Sequence, residues 1–154
     1  MGLNPNKIML AQLSMIKRVC KGGNIPNINT IVDLANIMAA KSNLPVGAFD
    51  LDKISGDITL RTSKAGEKYL PLFENVEEEV PENEIVYADE EKIFSRYSKD
   101  CDITKVTLDT KSIFYVVDGT KTVSSENILQ YLNELETFLT EVLYAKVVRK
   151  EVVE

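Results

Sequence analysis

Apolar and polar positions alternate along this chain in blocks that change period several times. Near the start, Met9, Leu13, Ile16 and Cys20 recur at helical spacing. Asn4 as N-cap and Pro5 at the first helical position open that helix, and Gly22-Gly23 stops it. Cys20 is thereby expected as a buried free thiol. After Pro26 a second helix is expected from about residue 29 to residue 42, ending before Asn43-Leu44-Pro45. Short strand patterns follow at residues 46–51, 58–61 and 85–88, with a turn over residues 52–57 between the first two. Residues 112–117 have the β-branched and aromatic content of a buried strand, ended by Asp118-Gly119. The last helix is the clearest element. Ser124 or Ser125 caps it, and Ile128, Leu132, Leu135, Leu139 and Val142 form one stripe, widened by Leu129, Phe138 and Leu143. Two helices, several strands and a long amphipathic helix predict an α+β fold with a mixed β-sheet. Residues 1–145 are expected to form one domain, and residues 146–154 a charged tail that frays or adds an edge strand.

Composition narrows the chemistry. The 154 residues include no histidine, so a Ser-His-Asp or Cys-His relay and any His-containing zinc site are excluded. Cys20 and Cys101 form no CxxC pair and suggest neither a disulfide framework nor a cysteine-rich metal site, so no metal and no cofactor are expected. No apolar run is long enough to span a bilayer, and the start of the chain lacks the apolar core of a signal peptide. No membrane partner is therefore expected, and a cytoplasmic location is.

Charge is unevenly distributed. The net charge is −6, yet nine acidic residues fall between Glu74 and Glu91 without a Lys or Arg among them. Outside that stretch 15 acidic residues face 18 basic ones, so the remainder is mildly basic. No acidic residue precedes Asp33, whereas Lys7, Lys17, Arg18 and Lys21 do. Lys17, Arg18 and Lys21 suit the negative end of a helix dipole. The acidic run reads as a solvated loop.

Few residue groups suggest a site. In the second helix Asn29, Asp33, Asn36 and Ala40 share one narrow stripe, opposite Ile31, Leu34, Ala35 and Met38. Short polar side chains on an otherwise apolar helix hydrogen-bond a neighbouring loop or a ligand. Thr104, Thr107 and Thr110 place three hydroxyls in one short segment, able to position a water or to cap a turn. Asp50-Leu51-Asp52 followed by Gly56 misses the calcium-loop pattern, because the glycine is one place late and Arg61 stands where a bidentate Glu is required. Tyr69, Tyr87 and Tyr97 read as core aromatics or, less strongly, as a platform for bases. Taken alone, these residues describe an α+β domain with a small polar pocket and no self-evident catalytic apparatus.

Several blocks in fixed order carry a resemblance. They are residues 25–36 (IPNINTIVDLAN), residues 44–54 (LPVGAFDLDKI), Gly56-Asp57-Ile58 with Leu60-Arg61, Gly66-Glu67, residues 84–89 (EIVYAD), and Thr107 with Asp109-Thr110. This order resembles the B3/B4 domain of the bacterial phenylalanyl-tRNA synthetase β subunit and its free-standing relatives. The resemblance implies an editing-type pocket that admits the aminoacyl end of a tRNA and hydrolyses a wrong ester through positioned water. Carried over residue by residue, it implies catalytic roles for Gly47, Thr104 and Thr107. It implies substrate contacts from Asn29, Asp33, Asn36, Asp50 and Asp102, and RNA contacts from Lys17, Arg18 and Lys21. The synthetase module has histidine at the position where this chain, like free-standing relatives, has Gly47. Its tyrosine-reading glutamate aligns with Cys101-Asp102, whose shorter reach argues against tyrosine as the ligand. The shorter N-terminal portion implies a shortened relative or a fragment. The expected partners are a tRNA or aminoacyl-tRNA 3′ end and an amino-acid-like ligand. The alternatives are an aminoacyl-tRNA deacylase acting in trans and a non-enzymatic module that binds an amino acid or similar small molecule.

Overall fold

The computed structural model describes residues 11–97 and 99–153. The expected helix start at Asn4-Pro5, together with Lys7 and Met9, lies outside them. Helix α1 spans Ala11–Cys20, α2 Thr30–Ser42 and α3 Ser125–Leu143. Strands are β1 (Val46–Asp50), β2 (Thr59–Thr62), β3 (Lys68–Tyr69), β4 (Glu78–Glu79), β5 (Ile85–Ala88), β6 (Ile93–Arg96) and β7 (Ile113–Val117). The fold is α+β, with two N-terminal helices and one long C-terminal helix. In place of one mixed sheet the strands form three small ones: β1 with β7, β2-β5-β6, and β3 with β4. The pairs β2–β5, β5–β6 and β3–β4 are antiparallel.

The described residues fall into two compact units. One is Ala48–Phe114. In it β2 pairs through Leu60 with Tyr87, and β5 continues through Tyr87 with Ser95. Phe49, Phe94, Val80 and Val86 are fully buried there, and the Phe49 and Phe94 rings meet edge-on at 5.2 Å. The acidic stretch is not one solvated loop. Its first part, Glu74–Glu79, is exposed. Farther on, Glu84 bonds Arg96 twice at 2.7 Å, and Arg96 also lies 4.8 Å over the Tyr69 ring. Asp89 builds the β5–β6 turn by accepting from Ser55, Glu91 and Lys92 N–H groups at 2.7–2.9 Å. Burial alone would raise the Asp89 carboxyl, but the Lys92 ammonium and these N–H donors hold it below its usual range. These carboxylates are inside the fold because each has its partner.

The other unit comprises residues 11–47 and 115–153. Its core joins α2 and α3 through Leu34, Met38 and Leu135, with Val46, Tyr115, Tyr131 and Leu139 packed around them. Tyr115 donates its hydroxyl to the Ile31 carbonyl at 3.0 Å, and burial pushes its phenol well above the usual value. Ser124 caps α3 by accepting from the Asn127 N–H. On α1 the buried residues are Gln12 and Met15, while Leu13 and Cys20 are exposed. The expected buried thiol is therefore corrected: the packed face passes through positions 12 and 15, one residue off the stripe read from 13, 16 and 20, and leaves Cys20 in solvent. The segment after α3 has neither helix nor strand; Lys150 folds back onto Asn133 and Glu136 of α3.

Candidate functional site

In the unit formed by Ala48–Phe114, Asp50 ends β1 and is buried. Its carboxylate accepts the Asp52 N–H at 3.1 Å and the Thr110 hydroxyl at 2.7 Å. Its N–H donates to the Thr104 carbonyl at 2.9 Å. Thr110 in turn accepts the Thr107 N–H at 3.0 Å, and the two hydroxyl oxygens lie 3.5 Å apart. Asp50, Thr104, Thr107 and Thr110 thus form one connected group, although they are up to 60 positions apart in sequence. Thr107 is its exposed member. Thr104 is fully buried, and its hydroxyl has no hydrogen-bond partner among the described residues. A buried hydroxyl without a partner costs about 1–3 kcal/mol, so a water or ligand that reached it would be held there.

Asp102 belongs to a different local arrangement. It accepts the Phe73 N–H at 2.9 Å and the Lys105 ammonium at 2.7 and 2.9 Å. The Lys105 bond, followed by that from Phe73, holds its carboxyl below the usual range, so Asp102 is an anion at neutral pH. Phe73 is exposed with φ of 66°, a left-handed conformation that Asp102 helps to fix. Lys105 was not singled out in the sequence, yet its i+3 offset from Asp102 is a readable pairing signal.

In the unit of residues 11–47 and 115–153, Asn29 caps α2 by accepting the Val32 N–H at 3.0 Å, and Asp33 accepts the Ile28 N–H at 2.8 Å. These polar groups hold the chain that enters α2. They also line an open cleft of about 330 Å³ with Leu34 and Ile37 of α2 and Phe138, Val142 and Leu143 of α3. Asn36 is half-buried on α2, and Gly47 is half-buried in β1. Lys17, Arg18 and Lys21 are exposed at the end of α1, and no ion pair engages them among the described residues. No cluster of three or more Cys, Asp or Glu among the described residues could hold a metal ion, and no helix there is long and apolar enough to cross a membrane.

A family model described as the B3/4 domain matches residues 1–139. The chain belongs to the B3/4 domain family. This B3/4 domain is 36% identical over 112 residues to the phenylalanine–tRNA ligase beta subunit of Fusobacterium nucleatum, which covers 72% of this chain and 14% of that protein. It is 38% identical over 110 residues to the same subunit of Carboxydothermus hydrogenoformans, covering 70% of this chain and 14% of that one. With the Aquifex aeolicus subunit it shares 38% identity over 86 residues, 56% of this chain and 11% of that protein. The chain therefore matches only about a seventh or less of the length of these relatives. A crystal structure of an N-terminal fragment of the phenylalanyl-tRNA synthetase beta subunit from Pyrococcus horikoshii has the same fold, with a TM-score of 0.61 and 24% identity over 72% of this chain and 39% of that one.

Proposed function

We propose that this B3/4 domain binds the aminoacyl 3′ end of a tRNA and hydrolyses the ester joining it to a wrong amino acid. The observation that carries the reading is the B3/4 match over residues 1–139, with relatives named as beta subunits of a tRNA ligase. Residues 1–145 make up the functional domain, residues 146–154 its tail, and the cytoplasm, where tRNA is charged, is its place of action.

The connected group around Asp50 supports the hydrolytic half. Water attacks the ester carbonyl, the ribose hydroxyl leaves with a proton, and a free amino acid results. With no imidazole to relay that proton, the task is to orient water and substrate. Thr107 is the exposed hydroxyl for this role, with Thr110 and Asp50 behind it. Thr104 fixes the Asp50 backbone through its carbonyl and holds one unsatisfied hydroxyl. Asp102, in the same unit as Asp50, reads the aminoacyl group; in the other unit Asn29, Asp33 and Asn36 offer ligand contacts, and Lys17, Arg18 and Lys21 meet phosphates.

A panel of correctly and wrongly charged tRNAs tests this. One species should lose its ester when the domain is added, and Thr107→Ala and Asp102→Ala should each suppress that loss. Charge reversal at Lys17 and Lys21 should weaken tRNA binding and flatten its salt dependence. If no charged tRNA loses its ester, the deacylase reading fails. A second reading, a binding module without hydrolysis, is favoured by the cleft between α2 and α3.

A further inference from the structure

That cleft has one wall without a partner. Ile37, Phe138 and Val142 line it while 48%, 49% and 55% exposed, at the margin of the Leu34–Met38–Leu135 core, with Leu34 shared between core and cleft. Asp33 is among its polar lining residues, and among the described residues no Lys or Arg lines it. One carboxylate oxygen of Asp33 is fixed by the Ile28 N–H at 2.8 Å, which sets the group's position. Among the described residues no cation pairs with it. The volume, about 330 Å³, is at the small end of the range for ligand sites.

We infer that this cleft binds an amine with an apolar body, its ammonium on Asp33 and its apolar part on Ile37, Phe138 and Val142. The charge pattern also sets a selectivity. A single carboxylate with no base beside it attracts a cation, but offers no counter-charge to a ligand carboxylate. An amino acid whose carboxyl is esterified, or a plain amine, is therefore preferred over the free zwitterion. The positive end of the α2 dipole partly offsets Asp33, which keeps the affinity modest. This inference rests on the ligand-binding half of the proposed function and not on hydrolysis.

The test uses the whole chain, with 2-phenylethylamine, phenylalanine methyl ester, phenylalanine and phenylacetate as probes, followed by amide and methyl chemical shifts. The amine and the ester should bind and move signals of Ile37, Phe138 and Val142, and the two carboxylates should bind about tenfold more weakly or not at all. Asp33→Asn keeps an oxygen for the Ile28 N–H and should weaken both amines by about tenfold. Phe138→Ser should weaken them with Asp33 intact. Equal binding by all four probes, an unchanged affinity in Asp33→Asn, or shifts confined to other residues would overturn the inference. So would a lack of binding by either amine, a result that needs no variant to fold. Amine binding by a chain that deacylates no tRNA would sink the deacylase reading and leave this one standing; the reverse pattern would sink this one alone.

Discussion

The hydroxyl of Thr110 is the most informative single group to remove from the Asp50 assembly. Thr110→Val keeps the shape of the side chain, so no cavity term enters. It deletes the 2.7 Å bond donated to Asp50 and the 3.0 Å bond accepted from the Thr107 N–H. The two losses differ in weight. Thr107 is exposed, so water replaces the bond to its N–H at little net cost. Asp50 is only 6% exposed, and hydrogen bonds to charged groups contribute about 1.5–3 kcal/mol. Most of the loss therefore falls on Asp50, for a destabilisation of about 2 kcal/mol. In a chain of this length that lowers the melting temperature by roughly 4–8 °C. Urea unfolding followed by circular dichroism measures it, with Thr110→Ser as the rescue because serine keeps the oxygen. If the valine variant lies within about 0.5 kcal/mol of wild type, or if serine is as damaging as valine, the assigned bond does not hold Asp50 in place.

Three further outcomes follow from other parts of the fold. Glu67 accepts Arg61 at 2.7 and 2.9 Å and the Lys64 N–H at 2.6 Å, and the Arg61 bond above all lowers its pKa to about 2. A folded-state pKa below the unfolded one gives stability that is complete above about pH 4.5 and lost as pH falls through about 2. Glu67→Gln should cost about 1 kcal/mol at pH 7, discounted for its partial exposure, and the gap in urea midpoints should narrow as pH falls across that window; a gap as large at pH 2.5 as at pH 7 refutes the pairing. Glu84 and Arg96 are nearly dry, with side chains 11% and 10% exposed, so Glu84→Gln should destabilise by about 3 kcal/mol and loosen Tyr69, measured by unfolding and by Tyr69 ring chemical shifts. Leu135→Ala removes the one buried residue of α3 and should cost about 2–5 kcal/mol; a loss below about 1 kcal/mol means that α3 does not close the α2 core.

Helices and strands whose signals are local were legible in the sequence. Ser124, one of the two serines expected to cap the last helix, does so, α2 ends at the expected Ser42, and β5 covers the expected residues 85–88. The unread elements lack a local signal. Strands β3 and β4 have two residues each, too few for any period to show. Strand β6, Ile93–Arg96, has three buried residues in a row, so no alternation marks it, and the charges of Glu90, Glu91 and Lys92 just before it look like a loop. The acidic run misled for a related reason. A carboxylate facing water and one accepting three N–H groups both read simply as acidic residues in a sequence, and only the fold separates the exposed Glu77 from the buried Asp89.

The candidate site was legible as a set of residues more than as an arrangement. The threonine segment was visible because 104, 107 and 110 are close together; that it closes on Asp50 was not, since that contact spans 60 positions. Polar residues on α2 carried two readings, contact with a neighbouring loop or with a ligand, and the structure shows why they were hard to separate. Asp33 performs the first with one oxygen, at Ile28, and is among the polar residues lining a cleft available for the second. A cap needs only one acceptor per N–H, whereas a carboxylate has several lone pairs. Asparagine at position 33 would cap as well, so capping does not account for a charge placed beside an exposed apolar wall. That surplus charge is what separates a ligand site from a helix start here, and it gives Asp33→Asn its discriminating power: the cap survives the change, and only cation binding is lost.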